Sequence, residues 1–148
     1  MKRVILALLL ALALAAGIVW SKRQQLLVHA AIRGDRLILQ GLLVMGADPN
    51  SNATGSSPLY AAVWHRQLDA ATGLIARGAD VNAAEPSGVR PLITAAANGD
   101  DAMVHLLLSH GADVNVSAAC GTALDVARAN HHASTAAILA AAASSRNR

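Results

Sequence analysis

One spacing, repeated along most of the chain, constrains the fold more than any other feature. Leucine returns at intervals of 32, 33 and 32 residues, beginning at Leu27. A second leucine series and an alanine series keep the same intervals. The three series are Leu27, Leu59, Leu92 and Leu124; Leu42, Leu74, Leu107 and Leu139; and Ala30, Ala62, Ala95 and Ala127. A fixed period in the low thirties predicts a solenoid, in which each unit buries its apolar face against its neighbours.

Residues at fixed places in the period predict two helices in each unit. Pro58 and Pro91 suit the first position of a helix, and Ser57 and Thr122 suit the cap before it. The alanines that follow let neighbouring helices approach closely, and a later leucine-rich stripe predicts a second helix. A glycine then stands where a left-handed residue would end that helix, at Gly46, Gly78 and Gly111. We therefore predict helix pairs joined by protruding hairpin loops.

The motifs of these units resemble the ankyrin repeat. Residues 57–60, Ser-Pro-Leu-Tyr, and 90–93, Arg-Pro-Leu-Ile, match the opening Thr-Pro-Leu-His of that family. Its close, Gly-Ala-Asp-x-Asn, recurs at residues 46–50, 78–82 and 111–115. The resemblance covers roughly residues 24–143 and implies an all-α solenoid of stacked helix-turn-helix units with hairpin loops.

Four units are predicted on this basis, and they are called units one to four below. Unit one lacks the usual opening and unit four lacks the usual close, so both are expected to be degenerate caps with one unpartnered face. Unit four is expected to have a short second helix over residues 135–140, followed by a C-terminal tail at 144–148. The units span about 24–50, 51–82, 83–115 and 116–143.

An apolar run of 17 residues, 4–20, precedes the units and follows Lys2 and Arg3. Its length is at the lower limit for crossing a bilayer. It ends in a tryptophan followed by Lys22 and Arg23, which is typical of a membrane interface. We therefore predict an N-terminal apolar helix within residues 1–23. Its membrane-anchor residues are Val4, Leu8, Leu12 and Trp20.

A cleaved signal peptide is the alternative for the same segment, because residues 13–15, Ala-Leu-Ala, offer a small-x-small cleavage pattern. Either alternative predicts export of the repeats. An anchored chain would face the periplasm or another extracytoplasmic space, and a cleaved chain would be secreted or periplasmic. The alanine-rich composition without phenylalanine favours a bacterial source and hence the periplasm.

The positive charge of the chain lies mainly at its ends. A sequence pI of about 9.8 and a net charge of +3 could indicate a nucleic-acid partner. Between residues 24 and 143, however, six arginines stand against nine acidic residues, and 6 − 9 gives −3. Because this body lacks a basic face for phosphates, we predict no nucleic-acid partner.

The resemblance implies a non-catalytic module that binds a protein partner through its concave face and hairpin tips. Trp64 and His65 fall at the end of a first helix, where the family has variable binding residues, and a large aromatic side chain there suits a binding hot spot. The alternative for Trp64 is packing over a neighbouring unit. The predicted partner-binding residues are Trp64, His65, Arg90, Val89, Asn98 and Arg33.

The sequence contains no recognisable catalytic set, phosphate-binding loop or nucleophile motif, so we predict no enzyme, cofactor or small-molecule substrate. Six histidines are present without the spacing of a metal site. A metal- or cofactor-handling protein is the alternative function, since stacking could bring Tyr60, His65 and Asn98 together. Cys120 is the single cysteine, which excludes an internal disulfide.

Overall fold

The structure, a computed structural model, describes residues 20, 22–52 and 55–146. These residues form eight helices, in pairs, and one short hairpin. The helices are α1 at residues 22–33, α2 at Arg36–Val44, α3 at Pro58–Trp64, α4 at Leu68–Ile75, α5 at Pro91–Ala97, α6 at Asp101–Ser109, α7 at Ala123–Ala129 and α8 at Ala133–Arg146. Strands β1, Ser117–Ala118, and β2, Gly121–Thr122, pair antiparallel, with Ser117 opposite Thr122.

The helices stack in two layers, as a solenoid requires. The first helices of successive units pack side by side, α3 against α5 and α5 against α7. The second helices form the other layer, α2 against α4, α4 against α6 and α6 against α8. Leu59, Leu74, Leu92 and Leu107 of the middle units are buried in the core between the layers, whereas Leu42 of unit one and Leu124 of unit four are only partly buried. Leu27 of unit one and Leu139 of unit four are buried as well, so both leucine series contribute to one continuous core.

Most of the apolar N-terminal run, including Val4, Leu8 and Leu12, lies outside the described residues. Trp20 is described, and it is helical and exposed. Among the helices of the described residues, none combines the length and the apolar character needed to span a bilayer. The N-terminal anchor therefore stays a prediction.

Side chains cap the first helices of units two and four, as the sequence predicts. The Ser57 hydroxyl accepts a hydrogen bond from the Tyr60 amide at 3.1 Å. Thr122 and Asp125 form a reciprocal capping box at the start of α7. Arg90 makes no capping bond at the start of α5, which therefore begins without this stabilisation of about 1 kcal/mol.

The turn between the two helices of each unit needs a left-handed residue at one position. Gly34 and Gly99 have φ of 72° and 63° there, while Arg66 and His131 have 58° and 61°. A side chain in this conformation costs about 1–2 kcal/mol. At Arg66 two contacts oppose that cost, because its guanidinium donates to the Asn98 carbonyl at 2.6 Å and lies 3.8 Å from the Asp100 carboxylate.

Asparagine side chains join the closing loops of successive units. The Asn50 amide donates to the Gly78 carbonyl at 2.9 Å and accepts from the Asp80 amide at 2.7 Å. Asn82 repeats the pair one unit later, with Gly111 at 3.1 Å and Asp113 at 2.8 Å. These paired bonds explain the asparagine that closes the first two motifs, since one side chain satisfies a donor and an acceptor of the next loop.

The end of the chain differs from the expectation of a short helix and a tail from residue 144. Helix α8 runs through Arg146 and is 14 residues long. Alanine-rich sequence without glycine or proline favours continued helix. Ser144 and Ser145 also donate from their hydroxyls to the carbonyls of Ala140 and Ala142, each at 2.9 Å.

One carboxylate contributes two of the side-chain hydrogen bonds between units three and four. Asp101 of α6 accepts hydrogen bonds from the hydroxyls of Ser134 and Thr135 of α8. These two bonds, assisted by the charges of His105 and His132 and opposed by burial, hold the pKa of Asp101 below its ordinary 3.8. The bonds from the Thr122 side chain and backbone likewise lower the pKa of Asp125. Both carboxylates thus stabilise the fold in their ionised form.

Replacing Asn82 by alanine should lower the free energy of unfolding by about 1–2 kcal/mol, because two bonds between adjacent loops are lost. Urea unfolding followed by circular dichroism measures this change. Asn115→Ala is the matched control, since in the described part of the chain the Asn115 side chain makes no such pair. Equal losses in both variants would contradict a linking role for Asn82.

Acid should weaken the contact between units three and four. Because the folded-state pKa of Asp101 is lowered, its stabilisation is complete above 3.8 and is lost as the pH falls from there through the lower folded-state pKa. The melting temperature of Asp101→Asn should therefore fall less steeply below pH 4 than that of the parent protein. Asp69→Asn is the control. It leaves Asp101 and Asp125 unchanged, so its melting temperature should fall with pH as steeply as that of the parent protein. Parallel curves for Asp101→Asn and the parent would contradict the assignment.

Candidate functional site

A groove of about 490 Å³ lies between the first helices of units one and two. We call it the aromatic groove. Helix α1 supplies one wall, and α3 with the residue before its cap supplies the other. Its lining residues are Val28, His29, Ile32, Ser56, Tyr60, Ala61, Trp64 and His65. Their mixture of aliphatic, aromatic and imidazole groups suits a partner side chain that is apolar with a polar end.

Two aromatic rings define the α3 wall. Tyr60 and Trp64 are four residues apart, so they lie on the same face of the helix. Their ring centroids are 6.0 Å apart and their planes are inclined by 32°. Trp64 remains 59% exposed. More than half of the Trp64 side chain is therefore accessible at the surface and not covered by a neighbouring unit.

The aromatic character of the groove depends on this one unit. In the register of the repeat, the position of Trp64 is occupied by Ile32 in unit one and by Ala97 and Ala129 in units three and four. Ile32 and Trp64 therefore stand side by side on adjacent first helices. The alanines give the later units no comparable side chain at this position.

The Asn98 side chain supports the α3 wall from unit three. Its amide nitrogen donates to the carbonyls of Val63 and Trp64, at 3.3 and 3.4 Å. These carbonyls belong to the last turn of α3, and Val63 also accepts from the Arg66 amide at 3.0 Å, so Asn98 adds to the bonds that end the helix. Asn130 repeats the arrangement by donating to Ala97 at 3.1 Å. The structure thus places Asn98 behind Trp64, where it positions the backbone that carries the indole.

The remaining predicted binding residues lie away from the aromatic groove. Val89 packs against the core, and Arg90 is half-buried at the start of α5. Arg33 lines a second groove of about 500 Å³, formed by α1 and the start of α2. The structure therefore brings Trp64 and His65 together with Asn98 behind them, and it leaves Val89, Arg90 and Arg33 at separate places.

The loop before α5 is held by a buried acid. Glu85 is buried, and its carboxylate accepts from both the backbone amide and the hydroxyl of Ser57, each at 3.1 Å. The Glu85 backbone also pairs with Val89 at 2.9 Å. Between Glu85 and Arg90, the exposed part is the tip, residues 86–88. The tip is thus a small surface on a fixed base.

Among the other members of the groove, His29 and Ile32 were not predicted from the sequence, and Tyr60 was given a structural role. All three follow from the register, because residues one period apart become neighbours in a solenoid. His29 also has a defined orientation. One ring nitrogen, Nδ1, lies 2.9 Å from the Gln25 carbonyl, so it carries the proton and donates to that oxygen.

The described residues bring together no group of three or more His, Cys, Asp or Glu side chains that could hold a metal ion. His29 and His65 both line the aromatic groove, but no carboxylate or thiol stands among its lining residues. The metal-handling alternative consequently gains no support. What the site offers is apolar and aromatic surface for binding.

Comparison with known proteins agrees with the stacked helix pairs. A family model described as ankyrin repeats in three copies matches residues 5–85, which are 81 of the 148 residues. A second, for ankyrin repeats in many copies, matches residues 74–127. Alpha-latrocrustotoxin-Lt1a of Latrodectus tredecimguttatus is 37% identical over 90 residues, which is 60% of this chain. The match spans only 6% of that toxin.

Removing the exposed indole should leave the fold intact. We expect Trp64→Ala to change the free energy of unfolding by less than about 1 kcal/mol, as is usual for exposed side chains. Leu59→Ala, which empties a fully buried position on the same helix, should cost about 2–5 kcal/mol. Chemical denaturation of both variants measures the difference. A loss at Trp64 as large as that at Leu59 would make the tryptophan a structural residue.

Proposed function

The chain belongs to the ankyrin repeat family, and we therefore propose that it binds a protein partner through the aromatic groove. Members of this family are interaction modules, which makes a protein the expected class of partner. We choose this surface because of one observation, the exposed indole of Trp64, which lies beside the Tyr60 ring on α3.

Energetic arguments support this surface. Binding hot spots are enriched in tryptophan and tyrosine, because these side chains bury a large area and lose little conformational entropy. The groove is largely preformed, since Asn98 and the stacked first helices fix the backbone of α3. A preformed surface spends little binding free energy on ordering itself.

The groove also restricts the chemistry of its partner. An aliphatic or aromatic side chain would fill the space between Ile32 and the rings of Tyr60 and Trp64. His29 and His65 at the same groove can form hydrogen bonds with polar groups beside that side chain. The partner motif is accordingly an apolar anchor flanked by polar or acidic groups.

The compartment is a further part of the proposal. The apolar run 4–20 and the basic residues after it support export, with retention in the membrane preferred over cleavage within the run. The repeats would then face the periplasm or another extracytoplasmic space. N-terminal sequencing of the protein from native membranes tests this assignment, and a mature end after residue 15 would replace the anchor with a cleaved signal.

Affinity capture from membrane extracts, with wild-type and variant proteins as baits, tests the proposed surface. The partner should be retained by wild type and by Arg77→Ala, which changes an exposed residue of α4's C-terminal turn. It should be lost or bound at least tenfold more weakly by Trp64→Ala, because a hot-spot truncation costs about 2 kcal/mol or more. Equal binding by all three baits would remove the aromatic groove from the interface.

A further inference from the structure

Unit one carries apolar residues where the other units carry small or polar ones. Leu37, Val44 and Met45 of unit one are 86%, 70% and 67% exposed. The corresponding residues of unit two are Asp69, Ala76 and Arg77, and those of units three and four are alanine, serine or histidine. A terminal unit normally replaces apolar surface with polar surface to remain soluble. Unit one does the reverse.

A fourth residue extends this outward-facing surface to the open end of the stack. Ile38 is 56% exposed, whereas its counterparts Ala70, Met103 and Thr135 are almost completely buried. Those three positions are covered by a preceding unit, and unit one has none among the described residues. Ile38 also lines one groove with Leu26 of α1, which is 55% exposed. We call Leu26, Leu37, Ile38, Val44 and Met45 the end face.

The two ends of the solenoid differ in this respect. Of the eight large apolar side chains that are exposed in the described residues, six precede residue 46 and the last is Leu68. Unit four presents alanine and serine on its outer positions instead. Exposed apolar clusters of this kind mark surfaces that contact a membrane or another protein.

Unit one also differs from the rest of the described chain in its net charge. Residues 20–52 contain four cations and two acids, 4 − 2 = +2, while residues 55–146 contain five cations and seven acids, 5 − 7 = −2. Lys22 and Arg33 line the groove that Leu26 and Ile38 share. Arg23 reaches the other end of α2, where it donates to the Met45 carbonyl at 2.7 Å. Asp35 also lines that groove, so cations outnumber acids around the end face without excluding them.

We propose that the end face docks on an anionic lipid bilayer, with its apolar side chains in the interface and its cations among the headgroups. The combination of exposed leucine, isoleucine, valine and methionine with nearby lysine and arginine is that of an interfacial surface. Anionic headgroups attract each such cation. The exposed Trp20 and the apolar run before it continue the same character along the chain.

Charge complementarity favours a bilayer over a second copy of the chain. A symmetric dimer through the end face would bring Lys22, Arg23, Arg33 and Arg36 of both copies together. Like charges at an interface oppose association. Anionic headgroups offset the same charges. This inference rests on the membrane attachment proposed above and adds to it that the folded unit one itself contacts lipid.

A fluorophore on the end face tests the inference in the full-length protein. An environment-sensitive dye is placed by Gly41→Cys in a Cys120→Ser background. Gly41 lies on α2 between Leu37 and Met45, and a side chain added there meets no atom within 4 Å. With phosphatidylglycerol vesicles, the emission should shift to the blue and be quenched by brominated lipid. The same dye placed by Ala141→Cys on unit four should remain in an aqueous environment.

The matched variant carries Leu37→Asp, Val44→Ala and Met45→Arg, which are the residues of unit two. The net charge is unchanged, and unit two folds with these residues at the same positions. Its dye at residue 41 should lose the blue shift although the protein still sediments with vesicles through residues 4–20.

Three outcomes would overturn the proposal while leaving membrane attachment in place. In the first, the parent protein sediments with vesicles but the emission of its dye at residue 41 does not shift. In the second, the triple variant shows the same blue shift as the parent. In the third, phosphatidylcholine vesicles give the same blue shift as phosphatidylglycerol vesicles. A shift that grows with protein concentration in the absence of vesicles would instead assign the end face to a second copy. Failure of the protein to sediment at all would remove the attachment and the docking together.

Discussion

A single unit of this chain cannot cover its own apolar surface, and the rest of the structure follows from that constraint. Two short helices enclose too little volume for a core, so each pair is completed by the next. Leucine and alanine at fixed intervals provide the contact between layers, and Asn50 and Asn82 join the loops with two bonds per interval. Stability is consequently distributed along the stack, one interface at a time.

The two proposed binding surfaces lie where residues at equivalent positions differ between units. Ile32 and Trp64 occupy one position in successive units, as do Leu37 and Asp69. The backbone fold is the same at both residues of each pair, so the side chains there can differ without changing the fold. At the first position a large ring creates the aromatic groove, and at the second a leucine makes a surface apolar. Both proposed binding surfaces of this solenoid therefore consist of side chains that differ from the other units at the same repeat position.

Local rules account for what the sequence predicted correctly. Ser57 and Thr122 cap helices, and Gly46, Gly78 and Gly111 take the left-handed conformation after the second helices. Each outcome depends on only a few neighbouring residues. The length of α8, the bond from Glu85 to Ser57 and the share of α1 in the aromatic groove were not predicted. These depend on which residues one period apart come together in space, or on a helix having no stop signal.

The aromatic groove and the end face share one helix, which links the two proposals. His29 of α1 lines both the aromatic groove and the groove beside Leu26, Arg33 and Ile38. If unit one rests on a bilayer, the aromatic groove opens within one helix diameter, about 10 Å, of the headgroups. Partners at that distance are the membrane-proximal segments of other proteins. The end face would then select among partners by position, since a soluble protein with the same apolar anchor would meet the groove only at the membrane surface.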